Sequence, residues 1–251
     1  MCYNSLRDEL FFVDYEDYYK VRSTRLRDDG RETVNVFKNR NRVSRVCYIN
    51  DSDTLVLVSK PLDGSKHLVV LTRIGEGRSS NEWRKADGQI IGSMCCAVSD
   101  SRLLIGTMNV TYMELFRVES GPRITPLNRI NVPEIYFDFS VSGSAGEELV
   151  AVSYENSVCV NRLCHDRLEE ISRIQLSSGN LLWLGDRLIV TEHIDSHVVV
   201  ELEVRGTRLE RRRELLDLNY ARIYFHCWCA VGNELAIFDD NTQALVLYSF
   251  D

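Results

Sequence analysis

Asp53-Thr54-Leu55-Val56-Leu57-Val58 shows the local pattern on which this sequence is built: one or two polar residues, then a leucine that opens a short apolar run. The pattern occurs six times, with the leucines at Leu10, Leu55, Leu103, Leu149, Leu188 and Leu235. Successive leucines lie 45, 48, 46, 39 and 47 residues apart. A period in this range indicates one supersecondary unit that is repeated along the chain.

The order of apolar and polar runs within each repeat predicts four β-strands, because the runs favour pleated sheets and no long window has helical spacing. The runs that the leucines open, called leucine strands, span residues 10–13, 55–58, 103–105, 149–152, 188–190 and 235–238. Third strands follow after a turn, at 19–24, 67–74, 112–118, 157–163, 197–204 and 244–250. Polar outer strands follow in five repeats, at 33–37, 82–85, 124–127, 168–174 and 209–215. Strongly apolar inner strands then lead to the next leucine, at 46–49, 90–98, 135–139, 181–184 and 223–230.

This gradient from apolar to polar suits a four-stranded antiparallel blade that runs from a buried axis to a solvated rim, and radial repetition of such blades makes a β-propeller. The polar residues, the leucine strand, the turn and the apolar third strand resemble the second and third strands of WD40-like blades over nearly the whole chain. The Gly-His and Trp-Asp pairs of a typical WD40 repeat do not occur in this sequence. The resemblance therefore implies a divergent propeller of the kind found in large scaffold proteins. We expect an all-β fold of about six four-stranded antiparallel blades, with residues 1–251 in a single domain.

The two ends of the repeat predict where the propeller departs from six complete blades. The last repeat stops after its third strand, at Phe250-Asp251, and residues 1–8 precede the first leucine strand. Those residues form either the inner strand of the first blade or a strand that pairs with the last blade and closes the ring. They cannot easily do both, so we expect the ring to be one strand short of six complete blades, and an unpaired edge invites a strand from a partner or from a longer natural chain.

Composition and the N-terminus bound the class of protein. The 251 residues carry a formal net charge of −7, which argues against a nucleic-acid binder because such proteins show a basic excess. No apolar stretch approaches the length of a membrane span, and the N-terminus lacks the parts of a signal peptide. We expect an intracellular protein, cytoplasmic or nuclear and not attached to a membrane, whose eight cysteines are thiols.

Arginines flank the turns between third and outer strands, which in a propeller lie on one face near its edge. We call these residues the arginine rim: Arg25, Arg27, Arg31, Arg73, Arg78, Arg117, Arg123, Arg162, Arg167, Arg205 and Arg208. The turns on the opposite face carry acidic residues. Because arginine contacts anions with two parallel hydrogen bonds, the rim indicates docking of acidic or phosphorylated peptides. The alternative is a solvated rim whose charges pair internally.

The cysteines suggest a metal site at first reading. Cys159 and Cys164-His165 gather ligand types, as does the stretch from His226 to Cys229. Neither set has the two-residue spacing of a common zinc knuckle, so we interpret these cysteines as small buried apolar groups. No cofactor or metal is predicted.

The sequence also lacks a Gly-rich phosphate loop, a nucleophile elbow and a zinc-protease motif. We therefore predict no catalytic residues and a non-enzymatic scaffold that docks other proteins in a larger complex. The alternative function is a six-bladed propeller hydrolase or lyase with a metal on the axis. Its candidate ligands are Glu155, Asn156, His193 and Asp239, side-chain types that hold cations through oxygen or nitrogen.

Overall fold

A computed structural model describes residues 1–14, 20–26, 34–38, 42–60, 68–73, 80–83, 94–99, 101–107, 110–119, 124–192, 198–217, 228–239 and 244–250. Apart from one turn of 3₁₀ helix at Asn50–Ser52, all regular structure in these ranges is β-strand. No helix in this part of the chain is long and apolar enough to cross a membrane.

The first three sheets each contain four strands, and each sheet keeps the order of the chain. The first consists of β1 (Cys2–Asn4), β2 (Glu9–Val13), β3 (Lys20–Arg25) and β4 (Val34–Lys38). The second consists of β5 (Arg42–Ile49), β6 (Thr54–Lys60), β7 (Leu68–Arg73) and β8 (Ser80–Trp83). The third consists of β9 (Met94–Val98), β10 (Arg102–Gly106), β11 (Tyr112–Val118) and β12 (Ile124–Asn131).

Two further four-stranded sheets and one three-stranded sheet follow in the same chain order. The fourth sheet consists of β13 (Tyr136–Ser142), β14 (Leu149–Tyr154), β15 (Ser157–Leu163) and β16 (Leu168–Gln175). The fifth consists of β17 (Ser178–Leu184), β18 (Arg187–Glu192), β19 (Val198–Arg205) and β20 (Arg208–Asp217). The sixth consists of β21 (Trp228–Val231), β22 (Glu234–Asp239) and β23 (Ala244–Ser249).

The strand pattern read from the sequence is confirmed. The third strands β11 and β15 have the predicted ends, and every predicted inner, leucine, third and outer strand overlaps an observed one. The outer strand β12 is longer than predicted and contains Pro126. Proline is tolerated there because β12 lies at the edge of its sheet, where one side of the backbone has no strand partner.

Five of the six repeat leucines occupy the same buried position. Their side chains are completely buried, at 0% exposure: Leu10, Leu55, Leu103, Leu188 and Leu235. In the fourth sheet Leu149 opens β14 as predicted, but it is partly exposed, and the next residue, Val150, is completely buried. Neighbours along a strand lie on opposite faces of the sheet, so Leu149 and Val150 face opposite ways.

The polar residues before the leucines form the tight turn between inner and leucine strands. Asp8, Asp53 and Ser101 each lie two residues before the leucine and have a positive φ, at 52°, 47° and 53°. In the fifth and sixth sheets glycine takes this role, since Gly185 and Gly232 have φ of 63° and 59°. A left-handed backbone favours Gly, Asn and Asp, which explains why short polar residues recur there.

Two of these turns contain the same hydrogen bond between a tyrosine and the turn aspartate. The hydroxyl of Tyr3 donates a hydrogen bond to Asp8 Oδ1 at 2.7 Å, and the hydroxyl of Tyr48 donates to Asp53. Tyr3 faces Leu10 across its hairpin as Tyr48 faces Leu55 across the next. The two tyrosines are therefore equivalent, and each holds the turn aspartate of its own sheet.

The first and last strands resolve the two alternatives for the chain ends. β1 pairs with β2 in the first sheet, so residues 2–4 form the inner strand of that sheet. Among the described residues, β23 pairs only with β22 and lies at the edge of a three-stranded sheet. The prediction of four strands is therefore confirmed for five sheets. Among the described strands, the first and last do not pair with each other.

The residues divide into two compact units. The first contains Met1–Thr107 and Glu114–Leu127, and the second contains Met108–Met113 and Asn128–Asp251. Within each unit, apolar side chains from consecutive sheets share a core. In the first unit Val56 and Val58 of β6 pack with Leu103 and Ile105 of β10. In the second unit, leucine and valine side chains of β15, β17, β18 and β19 form one cluster. That residues 1–251 form a single domain stays a prediction.

Candidate protein-interaction site

The structure describes seven of the eleven residues of the arginine rim. Arg162 and Arg167 flank the turn between β15 and β16, and Arg205 and Arg208 flank the turn between β19 and β20. These positions agree with the predicted turns. Four rim residues lie outside the described ranges: Arg27, Arg31, Arg78 and Arg123. The three others lie near the ends of third strands: Arg25 in β3, Arg73 in β7 (backbone only) and Arg117 in β11.

Two rim arginines form ion pairs with acids of their own hairpin. Arg167 Nη2 lies 2.6 Å from Glu169 Oε1, and Arg205 Nη2 lies 3.0 Å from Glu203 Oε2. The hydrogen bonds from Arg167 hold the pKa of the Glu169 carboxyl below its usual value. Both arginine side chains are about two-thirds exposed, at 67% and 65%. For Arg167 and Arg205, the structure therefore shows the internal ion pairs that the sequence analysis gave as the alternative.

Three other rim arginines are exposed and form no ion pair with any residue that the structure describes: Arg117, Arg162 and Arg208. Paired and unpaired arginines therefore occur in the same hairpins. Arg162 lies across from Glu169, but Glu169 forms its ion pair with Arg167. Arg208 lies across from Arg205, which forms its ion pair with Glu203. The guanidinium groups of the unpaired residues are free to contact an acidic group from outside. Their chemistry fits a carboxylate or a phosphate.

The outer strand β20 covers a buried carboxylate that the sequence analysis missed. Glu201 of β19 is completely buried, and its two oxygens accept hydrogen bonds at 2.8 Å from Arg212 Nη1 and Arg213 Nε of β20. Burial by itself raises the pKa of Glu201, but the two arginines outweigh it, so the pKa lies below the usual value. A signal was present in the sequence, since a glutamate in an apolar strand is followed by the arginine run Arg211-Arg212-Arg213 of the next strand.

The third strand of the sixth sheet has no described outer strand. The consequence shows in its side chains, because Leu247 is 38% exposed and no described side chain of β23 is buried. Every other third strand with described side chains, namely β3, β11, β15 and β19, contains residues at 0% exposure. Tyr248 and Phe250 stack at 6.4 Å between ring centroids and are partly buried against the core that contains Trp228 and Leu235. β23 therefore has one supported face and, within the part of the chain that the structure describes, one backbone edge without a strand partner; this edge is called the open edge below.

The register makes Leu247 the equivalent of Glu201. Leu188 faces Leu202 across the fifth sheet, and Leu235 faces Tyr248 across the sixth. The residue before each partner is Glu201 in β19 and Leu247 in β23, so the two occupy the same place in their sheets. Where an outer strand rich in arginine is present, that position holds a carboxylate; at the open edge it holds a leucine.

The structure describes the side chains of only two of the four residues considered for an axial metal. Glu155 and Asn156 are exposed on the turn between β14 and β15. His193 lies outside the described residues, and of Asp239 only the backbone in β22 is described. Within the described ranges there is no group of three His, Cys, Asp or Glu side chains that could hold a metal ion.

The predicted cysteine sets are placed only in part. Cys159 and Cys229 are buried, and burial raises the pKa of each thiol to about 12. Cys164 is partly exposed beside the exposed His165, whereas His226 and Cys227 lie outside the described residues. The reading of Cys159 and Cys229 as small buried groups agrees with their burial.

Comparison with known proteins identifies the fold. No protein-family model matches the sequence, and no curated protein is detectably similar to it. Solved structures are similar over almost the whole chain. A chain of the mitotic checkpoint complex matches with a TM-score of 0.69 and 8% identity, over 100% of this chain and 90% of that one. A chain of the nidogen/laminin complex matches with a TM-score of 0.69 and 9% identity, over 96% and 88%.

The β-propeller domain of Cps50 (Swd1) from Myceliophteria thermophila is also similar, with a TM-score of 0.65 and 13% identity, over 100% of this chain and 82% of that one. The chain is therefore an all-β propeller that matches WD40 proteins in structure, as the sequence pattern predicted. At such low identities the likeness concerns the fold and leaves the function to be argued from the surface.

Proposed function

We propose that this chain is a non-enzymatic scaffold of a larger intracellular complex, cytoplasmic or nuclear, and that a partner protein docks by adding a strand to β23. The observation that carries the proposal is the open edge of the sixth sheet. Five sheets have an outer strand, and the third strand β23 has none among the described residues. Its backbone N–H and C=O groups on that side pair with no described strand, and such groups pair readily with an extended segment.

The side chains of β23 define the chemistry of the segment. In the fifth sheet the outer strand places arginines over Glu201. The equivalent Leu247 offers no charge and exposes 38% of its surface. The incoming strand therefore carries an apolar side chain opposite Leu247 rather than an arginine, and polar side chains at the alternate positions that face water.

Similar solved structures support the choice of a protein as partner, because two of them come from complexes of proteins, the mitotic checkpoint complex and the nidogen/laminin complex. A propeller presents rigid strand edges and loops around a stable core, which suits docking without chemistry. The unpaired Arg162 and Arg208 of the arginine rim, both in the second unit, add a second contact for acidic or phosphorylated parts of partner proteins.

Site-specific crosslinking tests strand addition. A photo-crosslinking amino acid is placed at position 247 in the full chain in cells, and a matched chain carries it at position 6. Leu6 is the right control because it is apolar and even more exposed, at 71%, but lies on the turn between β1 and β2. A partner that docks on β23 is crosslinked from position 247 and not from position 6.

A substitution separates strand addition from other docking modes. Leu247→Glu places the carboxylate of the fifth sheet on the open edge, where an apolar segment would leave it unpaired. The change lowers the stability of the folded chain little, since the side chain is partly exposed. It weakens the affinity for the partner about tenfold or more, the equivalent of about 1.4 kcal/mol of binding free energy. Unchanged partner binding by a folded Leu247→Glu chain would remove β23 as the docking site and leave the arginine rim as the alternative.

A further inference from the structure

Cysteines occur on the inner strands of all three sheets of the first half of the chain. Cys2 lies in β1, Cys47 in β5, and the adjacent Cys95 and Cys96 in β9. Cys47 and Cys95 belong to consecutive sheets, and Cys95 packs against the core cluster that contains Cys47. Both side chains join the core that the second and third sheets share. Cys96 faces Leu104 and, as the next residue of a strand, points to the other face.

We propose that Cys47 and Cys95 are a thiol pair that forms a reversible disulfide with a low-molecular-weight disulfide, such as glutathione disulfide, as the oxidant. The bond would join the inner strands of the second and third sheets. It is a modification site separate from β23 and from the arginine rim, and it stands independently of the docking function.

The exposure of the two residues assigns the order of the steps. Cys95 is partly exposed, whereas Cys47 is only 6% exposed. The Cys95 thiolate attacks one sulfur of the external disulfide, forms a mixed disulfide and releases one thiolate. The Cys47 thiolate then attacks the Cys95 sulfur, forms the Cys47–Cys95 bond and releases the second thiolate. In total the protein loses two electrons and two protons, and the external disulfide gains them as two thiols.

The electrostatic setting agrees with that order. The hydrogen bond from Cys47 lowers the pKa of Cys95, and the positive charge of Arg45 lowers it further, although burial opposes both. The same hydrogen bond and burial raise the pKa of Cys47. Since the thiolate is the attacking form, Cys95 is the nucleophile and Cys47 the residue that resolves the mixed disulfide.

Peptide mapping of the oxidised chain tests the proposal. The reduced full-length protein is incubated with glutathione disulfide under native conditions, free thiols are blocked, and the unreduced protein is digested with trypsin. The expected product joins residues 46–66 to residues 86–102, lighter than the two thiol peptides by about 2 Da because two hydrogens are lost. Cys95 and Cys96 share one peptide, so two measurements assign the bond. Fragmentation between the two residues shows which cysteine carries the crosslink, and a Cys96→Ser chain is expected to keep it.

Two serine variants distinguish the roles, and a third serves as control. Cys47→Ser leaves a stable mixed disulfide with glutathione on Cys95, because the resolving thiol is missing. Cys95→Ser leaves Cys47 unmodified, because Cys47 is buried. Cys159→Ser, a buried cysteine in the second unit, keeps the crosslink. A wild-type chain in which Cys95 stays a mixed disulfide, in which Cys47 joins Cys2 or Cys96 instead, or in which neither thiol reacts while the protein is folded, would overturn the proposal.

Discussion

The third strands β19 and β23 hold the same place in consecutive sheets, but only β19 is covered by a described outer strand. In β19, Val199, Val200 and Leu202 are completely buried, and so is the carboxylate of Glu201. In β23 the equivalent of Glu201 is Leu247, which is exposed at 38%, and the described side chains around it are only partly buried or exposed.

The comparison shows what an outer strand contributes to a propeller sheet. It completes the hydrogen bonds of the third strand, and in the fifth sheet it also supplies the two arginines that make a buried carboxylate tolerable. Without such partners a buried charge costs several kcal/mol, so the buried carboxylate of Glu201 depends on the arginines of its covering strand. An apolar residue at an open edge costs little in the free protein and gains when another strand covers it.

The largest difference in unfolding free energy between the two strands is expected when a leucine of each is replaced by alanine. Leu202→Ala removes a completely buried side chain and is expected to lower the free energy of unfolding by about 3 kcal/mol. Leu247→Ala removes a partly exposed one and is expected to cost less than about 1 kcal/mol, because less apolar area returns to water. Urea denaturation followed by circular dichroism measures both. Equal losses would mean that β23 is covered as fully as β19.

A second test concerns the buried carboxylate. Glu201→Ala leaves Arg212 and Arg213 without their shared acceptor and is expected to cost about 2 kcal/mol, below the range for a fully buried pair because both arginines are partly exposed. Glu203→Ala, on the same strand, removes only the exposed pair with Arg205 and is expected to cost less than about 1 kcal/mol. If the two variants unfold at the same urea concentration, the arginines of β20 do not stabilise Glu201.

The contribution of Glu201 also depends on pH in a defined direction. Its pKa in the folded chain lies below the usual value, so folding favours the charged form. The resulting stability is fully present above the pKa of the unfolded chain, about 4.3, and is lost as the pH falls through the lower folded pKa. The difference in unfolding free energy between the wild type and Glu201→Gln should therefore shrink on going from pH 7 to pH 3. A difference that grows at low pH would contradict the assignment.

The smallest effects are expected in the turn that joins β19 to β20. Arg208 is unpaired with any described residue, whereas Arg205 is paired with Glu203. Neither Arg208→Ala nor Arg205→Ala should shift the urea midpoint of unfolding measurably, because exposed charges contribute little. Binding of a synthetic acidic peptide should weaken more in Arg208→Ala, by less than about tenfold and less at high salt. Equal binding by both variants would show that the rim does not distinguish free from paired arginines.

The strand pattern was predictable because it depends on local chemistry. Apolar residues at alternate positions and short polar turns specify hairpins without knowledge of the rest of the chain. The local pattern did not predict which of Leu149 and Val150 is completely buried, because both are apolar and the register with β13 and β15 decides between them.

The pairing of charges was less predictable, because it depends on which strands become neighbours. Arg167 and Arg162 look alike in the sequence, yet only Arg167 engages Glu169. The contact between Cys47 and Cys95 joins residues of two different sheets, so no local spacing announces it. Counting strands left two alternatives for the sixth sheet, and the pairing decides between them, because β1 pairs with β2 and, among the described residues, β23 pairs only with β22.

Hydrogen exchange of the β23 amides tests the central claim most directly. Backbone amides of residues 244–249 are followed by mass spectrometry in the free chain and in the complex with the protein that crosslinks at position 247. Strand addition predicts faster exchange in β23 than in β19 for the free chain, and exchange as slow as that of β19 in the complex, because each added ladder bond protects an amide. Exchange at residues 244–249 that is already slow in the free chain, or unchanged in the complex, would contradict it.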